Sequence, residues 1–110
     1  LITGAGSGIG YGAAMKFVEE GTRVALLSRT STEIESHKAE IERQGGEAIA
    51  ITADISDYFQ MEQAVQTIKE TWNRLDIVVA NAGINGTWAP LEELSPEDWE
   101  KTIRINLTGT

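Results

Sequence analysis

The stretch Thr3-Gly-Ala-Gly-Ser-Gly-Ile-Gly-Tyr-Gly12 limits what this chain can fold into more than any other. Glycine falls on every second residue from Gly4 to Gly12. Alternating glycine weakens a strand and weakens a helix more, so the stretch reads as a turn with a reason to be tight. It lies between an apolar strand end, Leu1 to Thr3, and an apolar-periodic helix from Ile9 to about Glu20. In that helix Ile9, Ala13, Ala14, Phe17 and Val18 form one broad face, and Gly21 closes it. A glycine loop between a strand and a helix N-terminus is a setting for phosphate, because free backbone amides and the helix dipole both favour an anion.

The remaining chain alternates in the same way. Arg23 to Ser28 is a short continuous apolar strand, of the kind buried on both faces of a parallel sheet. Thr30 and Glu33 form a capping-box pattern for a second helix over roughly 31–44. Its apolar stripe is only Ile34 and Ile41, which predicts a surface helix. Residues 47–53 make a third strand. Ser56 or Asp57 caps a third helix, with Met61, Ala64, Val65, Ile68 and Trp72 at helical spacing. Residues 76–83 read as a fourth strand and its turn. After a loop, Ser95, Pro96, Glu97 and Asp98 open a fourth helix with a cap, a first-turn proline and two acids at the positive end of the dipole. Strand and helix alternating in this order predict an α/β fold, a Rossmann-type doubly wound parallel sheet with right-handed crossovers.

Composition narrows the function classes. The chain has 110 residues, a net charge of -8, no cysteine and one histidine. One domain is expected, spanning 1–110 and reading as incomplete at both ends, since it begins inside a strand and stops inside an apolar-periodic stretch. A disulfide framework is excluded, and a Cys/His zinc site nearly so. The acidic balance disfavours a nucleic-acid partner. No apolar run reaches the ~20 residues of a membrane span and no signal peptide is present, so a cytoplasmic location is expected.

The glycine spacing separates the possible phosphate loops. A P-loop fails, because no glycine has a glycine five positions on and Lys16 does not follow one. Gly-x-Gly-x-x-Gly fails from Gly4 and Gly6, where Ile9 and Tyr11 take the third place. Begun at Gly8 it ends on Ala13 and lies too far past the strand. Thr3-Gly4-x-x-x-Gly8-x-Gly10 fits, with Gly6 an extra small residue and Gly12 already inside the helix. At the end of the second strand stand Ser28 and Arg29, with no acid before Glu33. A carboxylate there would read a ribose 2′-hydroxyl, whereas an arginine fork suits a 2′-phosphate. This favours NADP over NAD. Asp54, leaving the third strand, reads either as a turn acid or as an acceptor for an adenine amino group. Asn106 stands between Ile103, Ile105 and Leu107 and needs a reason, since asparagine is a poor mid-helix residue.

Taken together, Thr3-Gly4-x-x-x-Gly8-x-Gly10, Arg29, Asp54-Ile55, Asn81-Ala82-Gly83 and Asn106 resemble the short-chain dehydrogenase/reductase family, in order and along the whole chain. The usual Asn-Asn-Ala-Gly has Ala80 in its first place here, which removes one side-chain hydrogen bond. The resemblance implies cofactor contacts from Thr3, Gly4, Ser7, Gly8, Ile9, Gly10, Ser28, Arg29, Asp54, Ile55, Asn81, Ala82 and Gly83. It implies that Asn106 bends its helix and holds a water of the proton relay. It further implies hydride transfer between a nicotinamide and a carbonyl or secondary alcohol, with a Tyr-x-x-x-Lys pair as acid/base, and a homo-oligomer. Tyr11 and Tyr58 are followed four residues on by Met15 and Glu62, so neither is that tyrosine, and the 110 residues alone are expected to be inactive. A dinucleotide-binding relative without the Tyr/Lys pair is the alternative. His37 reads as a surface histidine and Trp72 as core. Trp99, Ile103 and Leu107 read as packing on the sheet or on a partner subunit. Trp88 is a possible pocket residue.

Overall fold

The computed structural model describes residues 1–110. Three strands form one parallel sheet: β1 (Ile2–Thr3), β2 (Val24–Ser28) and β3 (Ala48–Thr52), in the order β1-β2-β3. Ile2 stands opposite Leu26, and Leu26 opposite Ala50. Between them run α1 (Gly8–Glu19) and α2 (Ser31–Arg43), followed by α3 (Tyr58–Trp72) and α4 (Pro96–Ile103).

Alternation along β2 divides the interior in two. Val24 and Leu26 face α1 and α2, packing with Ile2, Ala14, Ile34, Ile41 and Ala48. Leu27 faces the other way, with Ala53, Ile55 and Ala64 of the α3 side and with Ile105. Helices therefore cover both faces, which is why β2 is an uninterrupted apolar run. Each fully buried Leu or Ile side chain contributes about 1.5–3 kcal/mol.

Several expectations are corrected. α2 has only two apolar positions inside, but Ile34 and Ile41 are both fully buried, so this helix lies on the sheet. The Thr30 hydroxyl does not cap α2, and the Thr30 amide bonds Ser28 Oγ at 3.3 Å. Ile9 leaves the predicted apolar face and is 83% exposed, because the first turn of α1 overhangs the strand ends. Val65 lies at the exposed margin of the α3 stripe. Trp72 is half-buried, its indole donating to Glu47 at 2.6 Å beneath the Arg23 guanidinium, 5.3 Å from the ring centroid. Of the two cap candidates, Asp57 caps α3 by accepting from the Gln60 amide at 3.0 Å.

The fourth strand is the largest departure. Residues 76–83 run extended beside β1 but form a single bridge, Ile2 to Val79. The Thr3 amide bonds the Val79 carbonyl at 3.1 Å and the Val79 amide the Leu1 carbonyl at 2.8 Å. Ile77 and Val78 are more than half exposed. Beyond it, Ser95 caps α4 through the Asp98 amide at 3.1 Å with Pro96 in the first turn, as its sequence predicts. α4 passes into a π-helical turn, Arg104–Thr108, marked by the Gly109 amide on the Arg104 carbonyl at 2.8 Å. Trp99, Ile103 and Leu107 do not pack on the sheet and stay exposed, as does Trp88. No helix is long and apolar enough to cross a membrane.

Candidate cofactor site

The loop leaving β1 carries the strained positions of the site. Gly4 has φ +67° and Gly8 φ +55°, left-handed values that glycine adopts without cost. A Cβ on Gly4 would also lie 2.9 Å from the Ala82 backbone, so this turn touches the chain after Val79. Gly10 faces the Gly4 carbonyl so closely that no side chain fits between them. A Cβ on Gly12, by contrast, would meet nothing. No side chain caps α1: Ser7 is extended and makes no cap bond, leaving the first-turn amides without a side-chain acceptor.

Thr3 and Asn81 fix this loop to the extended segment. Thr3 is buried, and its Oγ1 accepts from the Asn81 amide at 3.1 Å and the Ala82 amide at 3.0 Å. Asn81 Nδ2 returns a bond to the Thr3 carbonyl at 3.0 Å. Both residues act on backbone, which positions Ala82 and Gly83 beside Gly4.

A groove opens at the carboxyl ends of the strands. Gly4, Ser28, Arg29, Asp54, Ile55, Ala82 and Gly83 line it, with Leu27 and Ile105 as its floor. Thus seven of the residues singled out from the sequence meet at one place. Thr3 and Asn81 stand behind it, while Ser7, Gly8 and Ile9 stand exposed at the first turn of α1 and Gly10 is buried behind them. A larger apolar recess at the other end of the sheet, among Phe17, Val24, Trp72 and Ile77, holds none of them.

Asp54 does two things. Its Oδ1 accepts from the Ser56 amide at 2.9 Å and the Ser56 hydroxyl at 2.8 Å, a turn contact. Those bonds, with help from the Arg29 and Arg104 charges, hold its carboxyl below the usual carboxylate range. Oδ2 accepts from no protein group, which leaves an ionised acceptor at the groove. Arg29 is exposed, and the ion pairs of the chain, Lys16–Glu19, Arg23–Glu47, Lys38–Glu42 and Arg74–Asp76, do not engage it. Asn106 lies in the π turn. Its Oδ1 accepts from the Ile84 amide at 2.8 Å, and its Nδ2 donates to the Ile84 carbonyl at 2.7 Å. A wide turn of this kind often marks a functional site.

Four contacts escape the sequence reading. His37 is half-buried: its Nε2 meets the Gly6 carbonyl at 2.8 Å and its ring stacks on Tyr11, centroids 3.9 Å apart. Tyr11 donates to Glu40 at 2.8 Å, a bond that raises the phenol's pKa. That shift is opposite to the one a proton-transferring tyrosine needs. Gly6 is no spare residue either, since the Glu33 carboxylate fills the space a side chain there would take. The signal was a polar stripe at 33, 37 and 40, spaced for one helix face.

The donor set fits a dinucleotide: uncapped helix amides, a free guanidinium, a free carboxylate oxygen and small residues where a ribose would approach. The family model for short chain dehydrogenase matches residues 1–110. The chain belongs to the short-chain dehydrogenase family. The chain is similar to a 3-ketoacyl-ACP reductase from Sinorhizobium meliloti 1021, with 52% identity and a TM-score of 0.96 over 98% of the chain. It also resembles a metagenomic short-chain oxidoreductase in complex with NADP (31%, TM-score 0.92, 98% covered) and an NAD+-bound xylitol dehydrogenase (31%, 0.93, 97% covered). The chain spans 42%, 49% and 41% of these proteins, respectively.

Proposed function

We propose that this chain is the cofactor-binding part of an oxidoreductase that moves a hydride between NADP(H) and a carbonyl or secondary alcohol. The observation that carries this is the single groove shared by Gly4, Ser28, Arg29, Asp54 and Gly83. In it Ser28 and Arg29 hold the 2′-phosphate and Asp54 with Ile55 the adenine, while the exposed first-turn amides of α1, outside the groove's lining, hold the pyrophosphate. When bound, the nicotinamide supplies or accepts the hydride. Asn106 orders the Ile84 backbone at the groove's rim and takes its place in the proton relay. The tyrosine and lysine that move the proton come from residues outside this chain, because Tyr11 is committed to Glu40 and Tyr58 stands exposed. The exposed Trp99, Ile103 and Leu107 of α4 and its π turn support pairing with a second subunit.

Separate titrations of the whole protein with NADP+ and NAD+ test the cofactor reading. Tighter binding of NADP+ is expected, with at least a tenfold loss in Arg29→Asp. Unchanged NADP+ affinity in that variant would remove Arg29 from the site. NADPH-dependent reduction of a ketone by the whole protein, and none by residues 1–110, tests the division of labour.

A further inference from the structure

We propose that Glu33 is a specificity-determining residue: its carboxylate stands beside Gly6 and Ser28 and limits the preference for a 2′-phosphorylated dinucleotide. This rests on the reading of the groove as a dinucleotide site. Glu33 is the third residue of α2, which opens two residues after Arg29. Its side chain does not turn back to cap its own helix. Instead Oε2 lies against Gly6, inside the space of an absent Cβ, and Ser28 Oγ is 3.0 Å from the same point. The glycine loop, the end of β2 and the first turn of α2 therefore converge there, and the charge they bring is negative. His37 fixes the loop from the other side through the Gly6 carbonyl.

In a dinucleotide fold a carboxylate near the end of the second strand accepts the ribose 2′-hydroxyl, and an arginine there takes the 2′-phosphate. Here both groups are present, on different elements, and no ion pair between them cancels either charge. A phosphate held at Ser28 feels the Glu33 carboxylate as a like charge near the surface. A hydroxyl carries no charge and can donate to the same oxygen. Repulsion between such neighbours at moderate salt amounts to roughly tenfold in affinity.

The test is calorimetric titration of the whole protein with NADP+ and with NAD+, comparing wild type, Glu33→Gln and Glu33→Ala at low and high salt. Glu33→Gln keeps the shape against Gly6 and removes only the charge. It is expected to tighten NADP+ binding by about tenfold, with NAD+ affinity unchanged or weaker, and the gain should shrink at high salt. Glu33→Ala should move the ratio in the same direction. If both nucleotides bind wild type and the ratio stays within about twofold in Glu33→Gln, the proposal is overturned while the dinucleotide reading stands. If only Glu33→Ala changes binding, and equally for both nucleotides, Glu33 is a spacer against Gly6 and the proposal is again overturned. Binding of neither nucleotide by wild type overturns the proposal together with the reading it rests on.

Discussion

The Asn106 side-chain amide brackets the backbone of Ile84 from both sides, accepting from its N–H at 2.8 Å and donating to its carbonyl at 2.7 Å. Two segments meet through this one residue: the turn that follows Gly83 and the π turn that follows α4. Asn106→Ala should lower the stability of the whole protein by about 1–2 kcal/mol, read by chemical denaturation. Asn106→Asp keeps the acceptor and loses the donor, so it should fall between the two. Equal stability of all three proteins would show that the bracket contributes nothing.

Thr3 gives a sharper contrast. Thr3→Val keeps the shape but strands the Ala82 amide and leaves the Asn81 amide only the Val79 carbonyl at 3.0 Å, at a cost of about 2 kcal/mol. Thr3→Ser retains the oxygen and should cost less than half of that, measured in the same denaturation series.

Neighbouring glycines should respond in opposite directions. Gly12→Ala meets open space within α1 and should stabilise by about 0.5–1 kcal/mol. Gly10→Ala forces a methyl onto the Gly4 carbonyl and should both destabilise the protein and weaken dinucleotide binding more than tenfold. Thermal melts and cofactor titration read the two effects separately.

Asp54 makes stability depend on acid. Its folded pKa lies below the unfolded one, so its contribution is present above about pH 3.9 and is lost as pH falls through the folded value. Below both values the contribution is gone. Asp54→Asn should flatten the stability profile below about pH 4, with little change in its shape near neutrality. Urea midpoints across that range provide the check.

What was legible in the sequence was what neighbours in the chain decide. The apolar run of β2 needed no partner to be recognised, and Asp54, read as either a turn acid or an adenine acceptor, does accept within its own turn from Ser56. The letters of the capping box were read correctly as a pattern and wrongly as a contact. Glu33 had a better-placed neighbour in Gly6, and nothing local distinguishes the two uses. The bond from His37 to Gly6 was hidden for the same reason, since it exists only once α1 and α2 lie side by side. The run at 76–83 looked like a strand because it is apolar and branched. The bridge it does form, Ile2 to Val79, joins residues more than seventy positions apart, which no local pattern shows.

That distance has a kinetic consequence. The bonds joining Thr3 to Asn81 and Ala82 span 78 and 79 residues. β2, α2 and β3 can assemble from near neighbours, but these bonds must wait for closure of that long loop, and closure entropy delays them. The groove is therefore among the last parts of this chain to appear during folding, and a nucleotide cannot template the steps that precede it. Once seated, a ligand that touches both Gly4 and Gly83 ties shut the contact that took longest to make.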